Sequence, residues 1–319
     1  MRIIDDVLIE KANVSWKRLI DNIGLGVRCL HKGDYVQPVK PYLRYGDPKN
    51  RIIAMPAFVG GPFNKAGIKW IASFPDNVRK NLPRAHSVVI LNDAETGVPT
   101  TVFNTAQISI KRTAAVSGLM LKTYMTRQKK QSFKVGIIGW GPIGRAHMSM
   151  CSEMLSERLE QALVYDKRGK MQIHDHTGCQ HGIPPSLQFA DDWRKVYRES
   201  DIFITCTAGT PRYIDESPRR GQLLLHVSLR DYEPASLRGV KQIVIDDWRE
   251  VCRENTDIEQ LHLHHGLAQN ECVTLTELVC ENRIGAFNCD EPILFSPMGM
   301  AVFDLCTAVL YERELQQRE

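Results

Sequence analysis

A chain of 319 residues is long enough for two domains, each with its own core. Its hydrophobic share of 43% and charged share of 24% are those of an ordinary soluble globular protein, and a net charge of +4 without a basic stripe excludes nucleic acid as a partner. No apolar run is long enough to span a bilayer, the acidic start (Asp5, Asp6, Glu10) does not read as a secretory signal, and nine cysteines without a CxxC pair fit a reducing compartment. The expectation is a cytoplasmic protein with no membrane partner.

Residues 1 to about 33 carry helical spacing (Val7, Leu8, Val14, Trp16, Leu19, Ile20, Ile23) and read as one or two surface helices. Short β-rich runs follow at 51–55, 67–71 and 87–91, separated by Gly46-Asp47-Pro48, Gly60-Gly61-Pro62 and 92–97, the last a hairpin turn leading to a strand at 100–103. A helix is expected from Thr105 to about Thr126. The N-terminal third is therefore an α+β unit placed before a second domain.

That second domain opens with Lys134-Val-Gly-Ile-Ile-Gly-Trp-Gly-Pro-Ile-Gly144, a buried strand ending in G-x-G-x-x-G and feeding a helix from Ile143 to about Glu157. Gly139 permits the tight turn, Gly141 lets backbone approach a pyrophosphate, and Gly144 lets helix and strand pack closely. Pro142 suits the first helical position, and Ile143 follows it into the helix. Anionic phosphates would sit on the free amides at that helix start. A second apolar run ends in Asp166, placed to accept the adenosine ribose hydroxyls, which points to NAD. Lys167 and Arg168 follow directly and leave NADP open.

Alternation of strand and helix continues: strands at 201–206, 223–228 and 242–246, a helix at 191–199, and a last helix from about Met300 to Glu314 that returns to the first domain. The polar stretch Lys170–Ser186 reads as a loop. Its His174, His176, Cys179 and His181, like His262, His264 and His265, lack regular ligand spacing, so no metal is expected. Strand ends in such a sheet face the ligand, which singles out Thr205, Cys206 and Thr207, and Ser228 to Asp231. Asp231 is a candidate for acid/base work or, equally, a cap for the helix after it. In the first domain Lys40, Arg44, Lys69, Arg84 and Arg112 lie among apolar neighbours, a set suited to a substrate with several carboxylates.

Gly-Ile-Lys-Trp (67–70), Arg-Thr-Ala-Ala-Val-Ser (112–117), the late glycine fingerprint and Pro-Met-Gly-Met-Ala (297–301) make the chain resemble the ornithine cyclodeaminase/μ-crystallin family. Asp34-Tyr-Val-Gln-Pro-Val-Lys-Pro-Tyr-Leu-Arg44, Arg51 to Pro56, Val89 to Asp93 and Val244 to Trp248 resemble its branch that makes 2,3-diaminopropionate for siderophores. His86 and His226 depart from that branch. The resemblance implies an α/β fold: a Rossmann-type nucleotide domain, 116–298, plus an α+β substrate and dimerisation domain, 1–115, completed by a C-terminal helix, 299–319. It implies a homodimer that uses NAD to oxidise N-(2-amino-2-carboxyethyl)-L-glutamate, whose imine is then hydrolysed to L-2,3-diaminopropionate and 2-oxoglutarate.

By the same resemblance Arg44, Lys69 and Arg112 bind substrate carboxylate. Asp231 is catalytic, with Lys69 neutralising a carboxylate or polarising the imine. The glycine loop, Asp166, Thr205 to Thr207, Ser228, Met298 and Gly299 hold the cofactor. Another activity of the family (ornithine cyclodeaminase, amino-acid dehydrogenase, cyclic-imine reductase) and a non-catalytic nucleotide-binding protein stay open as alternatives.

Overall fold

The computed structural model describes residues 1–169, 184, 186–208 and 211–318. The stretch read as a histidine-rich loop lies outside them apart from Pro184 and Ser186. The chain divides into two compact units, Met1–Val116 with Gly299–Glu319, and Ser117–Met298.

In the first unit β1 (Arg2–Ile4), α1 (Asp6–Ala12) and α2 (Trp16–His31) precede β2 (Tyr35–Val36), β3 (Tyr42–Leu43), β4 (Arg51–Val59), β5 (Lys65–Ser73), β6 (Ala85–Asp93) and β7 (Pro99–Asn104). Asp5 and Ser15 cap the two helices by accepting the Leu8 and Arg18 amides. The strands form one sheet in the order β1-β7-β6-β5-β4-β2, with β3 also on β4. All pairs are antiparallel except β1 on β7. The edge strand β1 differs from the helical reading of the first residues: three residues are too few for alternation to show.

One sheet face is dry. Met55, Ala57, Val59, Val89, Leu91 and Phe103 alternate onto it and are buried. The last helix, Ala301–Gln316, packs on β4, β5, β6 and α2 and is buried at most of its positions, which is why its sequence is apolar nearly all round. Two glycines permit this approach. A side chain at Gly26 of α2 would press on Cys306 Sγ, and one at Gly67 of β5 would run into Leu305 and the Ile90 carbonyl. On the opposite face Ile52, Phe58, Ile68, Val88 and Ile90 are only half-buried and Trp70 is exposed.

The boundary between the units falls within α3 (Gln107–Met125). The second unit then runs β8 (Phe133–Ile138), α4 (Pro142–Leu155), β9 (Leu159–Tyr165), β10 (Leu187–Phe189), α5 (Trp193–Glu199), β11 (Ile202–Thr205) and β12 (Leu223–His226). After these come α6 (Pro234–Leu237), β13 (Gln242–Ile245), α7 (Trp248–Val251), α8 (Asp257–His265), β14 (Cys272–Thr274), α9 (Leu275–Cys280) and β15 (Ile293–Ser296); the last helix is α10. Its sheet is parallel throughout, in the order β10-β9-β8-β11-β12-β15-β13-β14. Burial on both faces explains the continuous apolar runs of β8, β11, β12 and β15. Strand order reverses between β8 and β11, the switch point at which doubly wound sheets open a crevice.

Gly67→Ala is expected to lower the unfolding free energy by about 1–3 kcal/mol, the usual range for overpacking. A denaturant midpoint equal to that of the parent chain would mean that α10 and β6 yield there without cost.

Candidate active site

The dry face of the first sheet holds a cation that an apolar layer would not tolerate alone. Lys69, mid-strand in β5, is 2% exposed. Its Nζ lies 2.7 Å from Asp304 Oδ2, on the first turn of α10, and Arg112 Nε lies 2.8 Å from the other oxygen. Lys40, also buried, donates from Nζ to the Gly299 carbonyl at 2.7 Å. Gly299 is left-handed, with φ +87°, and a Cβ there would collide with the Arg112 guanidinium. Lys40, Gly299, Arg112, Asp304 and Lys69 thus form one buried chain of contacts. Burial, reinforced by the neighbouring Arg112 charge, pushes the Lys69 pKa down to about 7 against the opposing pull of Asp304.

Of the five expected cations, the structure joins Lys40, Lys69 and Arg112. Arg44 is exposed, its guanidinium 4.8 Å from the centre of the Tyr42 ring, and Arg84 is half-buried just before β6. Asp304 was not among the expected site residues. An acid alone in the apolar run 300–309 is the signal that marks it.

In the second unit the glycine loop has the expected strand–turn–helix setting. Gly139 is left-handed (φ +94°) and its amide donates to the Tyr165 carbonyl at 2.9 Å. Gly141 is the N-cap of α4, Pro142 its first residue and Ile143 its second, and a Cβ on Gly141 would point into open space. Gly144 has no such room: a Cβ would overlap the Gly139 carbonyl oxygen. Asp166 follows β9. Its carboxylate accepts the Trp140 amide at 2.7 Å, the Arg168 amide at 3.0 Å and the Arg168 guanidinium at 2.8 Å. Burial pushes this carboxyl up, but the Arg168 and Trp140 hydrogen bonds outweigh it and hold it below the ordinary range. Lys167 is exposed. A free cradle at Gly141 and an acid at the end of the second strand are the features a dinucleotide requires.

Asp231 is fully buried and is not a helix cap; Glu233 holds the N-cap position of α6. Its two carboxylate oxygens are taken by the hydroxyls of Thr207 and Ser228, both half-buried. Any exchange between Asp231 and a ligand therefore passes through a hydroxyl. The turn that brings Ser228 back onto Asp231 places Leu229 at φ +68°, a conformation costly for a branched side chain.

Behind Asp231 lies His226, fully buried, with Nδ1 2.9 Å from Thr205 Oγ1 and 3.6 Å from Asp231 Oδ2, and Nε2 2.7 Å from Asp257 Oδ2. Asp257 also accepts the Asp231 and Tyr232 amides and pairs with Arg212 Nε at 2.6 Å. Burial raises this carboxyl, but the His226, Tyr232 and Arg212 contacts bring it below the ordinary range. Asp257 was likewise absent from the expected site. Its signal is a helix start, Thr256-Asp257, indistinguishable in sequence from a cap.

Cys206 is held as a neutral thiol, since burial raises it well above the ordinary thiol range. Met298 donates its amide to Asp246 at 3.0 Å. Among the described residues no group of three histidines, cysteines or acids is arranged to hold a metal, and the described cysteines are all free. The four metal-like residues at 174–181 lie outside the described set.

The chain is also similar to known proteins along most of its length. The model of the ornithine cyclodeaminase/mu-crystallin family matches residues 2–318. The N-((2S)-2-amino-2-carboxyethyl)-L-glutamate dehydrogenase of Staphylococcus aureus is 35% identical over 298 residues, 89% of this chain and 86% of that protein. Among solved structures, the Thermococcus litoralis Δ1-pyrroline-2-carboxylate reductase in complex with NADH and L-proline superposes with a TM-score of 0.84 at 25% identity, covering 100% of this chain and 98% of that one. An archaeal alanine dehydrogenase dimer with bound NAD shares the fold at a TM-score of 0.79 and 22% identity, covering 100% of this chain and 97% of that one.

A carboxylate ligand is attracted by the Lys69 ammonium and not by the free amine. Its affinity is therefore full below a pKa of about 7 and declines as pH rises through it. Calorimetric titration with glutarate is expected to show binding weakening above that point, by at most roughly tenfold per pH unit. A dissociation constant that is level from about pH 6 to about pH 8.5 would remove Lys69 from carboxylate binding.

Proposed function

The chain belongs to the ornithine cyclodeaminase/mu-crystallin family, and from that membership we propose that it is an NAD-dependent oxidoreductase acting on a CH–NH donor. More narrowly, its substrate is N-(2-amino-2-carboxyethyl)-L-glutamate and its products are L-2,3-diaminopropionate and 2-oxoglutarate, the former a building block for a siderophore or peptide natural product. The observation that carries the reading is the buried chain Lys40–Gly299–Arg112–Asp304–Lys69: several cations on one dry face suit a substrate with three carboxylates. The 35% identity with the staphylococcal dehydrogenase supports the same substrate.

Gly139, Gly141, Gly144 and Asp166 would hold NAD, which would supply the two-electron acceptor for a hydride leaving the substrate Cα. Arg112 and Lys40 hold carboxylate and so fix which carbon is presented. Lys69, with a pKa near 7, exchanges protons readily at neutral pH and polarises the imine that water then attacks. Asp231 orients the Thr207 and Ser228 hydroxyls and takes up charge behind them. The Asp166 carboxylate favours NAD by repelling a 2′-phosphate. The half-open apolar face of the first sheet supports a homodimer, since a monomer gains nothing by leaving Ile68, Trp70 and Ile90 partly wet. No described helix is long and apolar enough to cross a membrane, and the cysteine usage supports a reducing compartment such as the cytoplasm.

The test is incubation with NAD and the conjugate, with ornithine and L-proline in parallel, reading NADH and 2-oxoglutarate. The two appearing together from the conjugate support the proposal; turnover of ornithine or proline with silence on the conjugate overturns it. Arg112→Ala is expected to raise KM for the conjugate by at least about 100-fold, the cost of removing one partner of a buried charged pair, while NAD affinity stays within about twofold. Asp231→Asn is expected to lower kcat with KM little changed, and full turnover in that variant would return Asp231 to a purely structural role.

A further inference from the structure

Asp166 directly follows β9, and the Trp140 amide of the glycine loop ties it to that loop at 2.7 Å. An ionised carboxylate offers about four lone-pair positions to donors. In Asp166 they are already taken. Oδ1 accepts the Arg168 amide at 3.0 Å and Arg168 Nε at 2.8 Å, while Oδ2 accepts the Trp140 amide at 2.7 Å and Arg168 Nη2 at 2.8 Å. The acid that a dinucleotide's ribose hydroxyls would need is therefore saturated, and its side chain is only 8% exposed.

The group that faces outward is the guanidinium. Nε and Nη2 grip both carboxylate oxygens in a planar fork, which leaves the remaining N–H donors on the far edges of the group. The Arg168 side chain is 41% exposed. Lys167 beside it is exposed too, so at the end of β9 the cations meet solvent and the carboxylate is the covered member.

Asp166 alone would turn a 2′-phosphate away, and the preference for NAD proposed above follows from that charge. A guanidinium held against both of its oxygens offsets the charge at close range. Ribose hydroxyls gain Asp166 only when Arg168 releases it, whereas a phosphate reaches the outer edge of the guanidinium with the pair intact.

We infer that Arg168 sets the cofactor choice of this chain: it covers Asp166 at a cost to NAD affinity and offers its outer N–H groups to the 2′-phosphate of NADP, so that both dinucleotides bind. The inference deepens the cofactor reading proposed above and rests on it, because it takes the glycine loop to hold a dinucleotide.

The test is calorimetric titration of the full chain with NADH and with NADPH, no amino-acid substrate being present. The parent protein is expected to bind the two within about tenfold of each other, since a carboxylate left unscreened would separate them by more. Arg168→Met removes the charge and the fork and keeps most of the side chain's length. It should shift the ratio of affinities toward NADH by at least about tenfold, the usual worth of a hydrogen bond to a charged group, with NADPH weakened and NADH as tight as before or tighter.

A parent protein that binds NADH but prefers it to NADPH by more than about tenfold keeps the glycine-loop reading and overturns the role of Arg168. So does an Arg168→Met variant whose two affinities are unchanged or fall equally. Should that variant fail to fold, Arg168→Gln decides by the same criterion. A parent protein that binds neither dinucleotide overturns the cofactor reading and this inference with it.

Discussion

Asp304 is the charge on which the first unit depends. A lysine ammonium and an arginine guanidinium are both sealed beneath α10, and a single carboxylate meets both, at 2.7 and 2.8 Å. Neither cation would be tolerated there alone, because desolvating a charge costs several kcal/mol even after the surroundings relax. The arrangement is consequently a compromise. Asp304 holds the cations in place and keeps Lys69 protonated at neutral pH to a useful degree, while burial and Arg112 keep it from being a permanent charge. For the carboxylate substrate proposed above, these donors are already oriented.

The second unit solves a related problem with the opposite sign. Asp231 and Asp257 are two fully buried carboxylates close to one histidine. Asp257 is satisfied by two backbone amides, Arg212 and His226; Asp231 is satisfied by two hydroxyls and faces the same imidazole. The hydroxyls, not the carboxylate, are the groups at the surface of this network. That leaves Asp231 behind the two hydroxyls and makes His226 part of its support, at a position where the chain departs from the branch of the family it resembles.

Much of this was legible in the sequence because it rests on local rules. The glycine turn announces itself, since Gly139 needs a positive φ and Gly144 has no room for a Cβ. β5, β6 and β7 show as short β-rich runs, and the turn at 92–97 marks the hairpin β6–β7. What escaped depends on tertiary pairing. Strands of three or four residues such as β1, β10 and β15 are too short to carry a period, and they exist because a neighbour supplies their hydrogen bonds. Asp304 lies 235 residues from Lys69 in sequence, and nothing local says that an acid in an apolar helix has a buried cation beneath it. Asp257 was hidden by resembling an ordinary helix start. Asp231 was found, but its seclusion behind Thr207 and Ser228 follows only from the Leu229 turn.

The measurement that bears most directly on the account is the stability of Asp304→Asn as a function of pH. With the carboxylate gone, Arg112 and Lys69 lose their common partner, and a loss of about 3–5 kcal/mol is expected. The pull of Asp304 that holds the Lys69 pKa up to about 7 is lost as well, so the loss should deepen as pH falls below about 7, where the parent chain keeps Lys69 charged beside its partner, and stay level above it. A variant as stable as the parent chain at both ends of that range would show that Asp304 does not hold the two cations, and the site built on it would have to be abandoned.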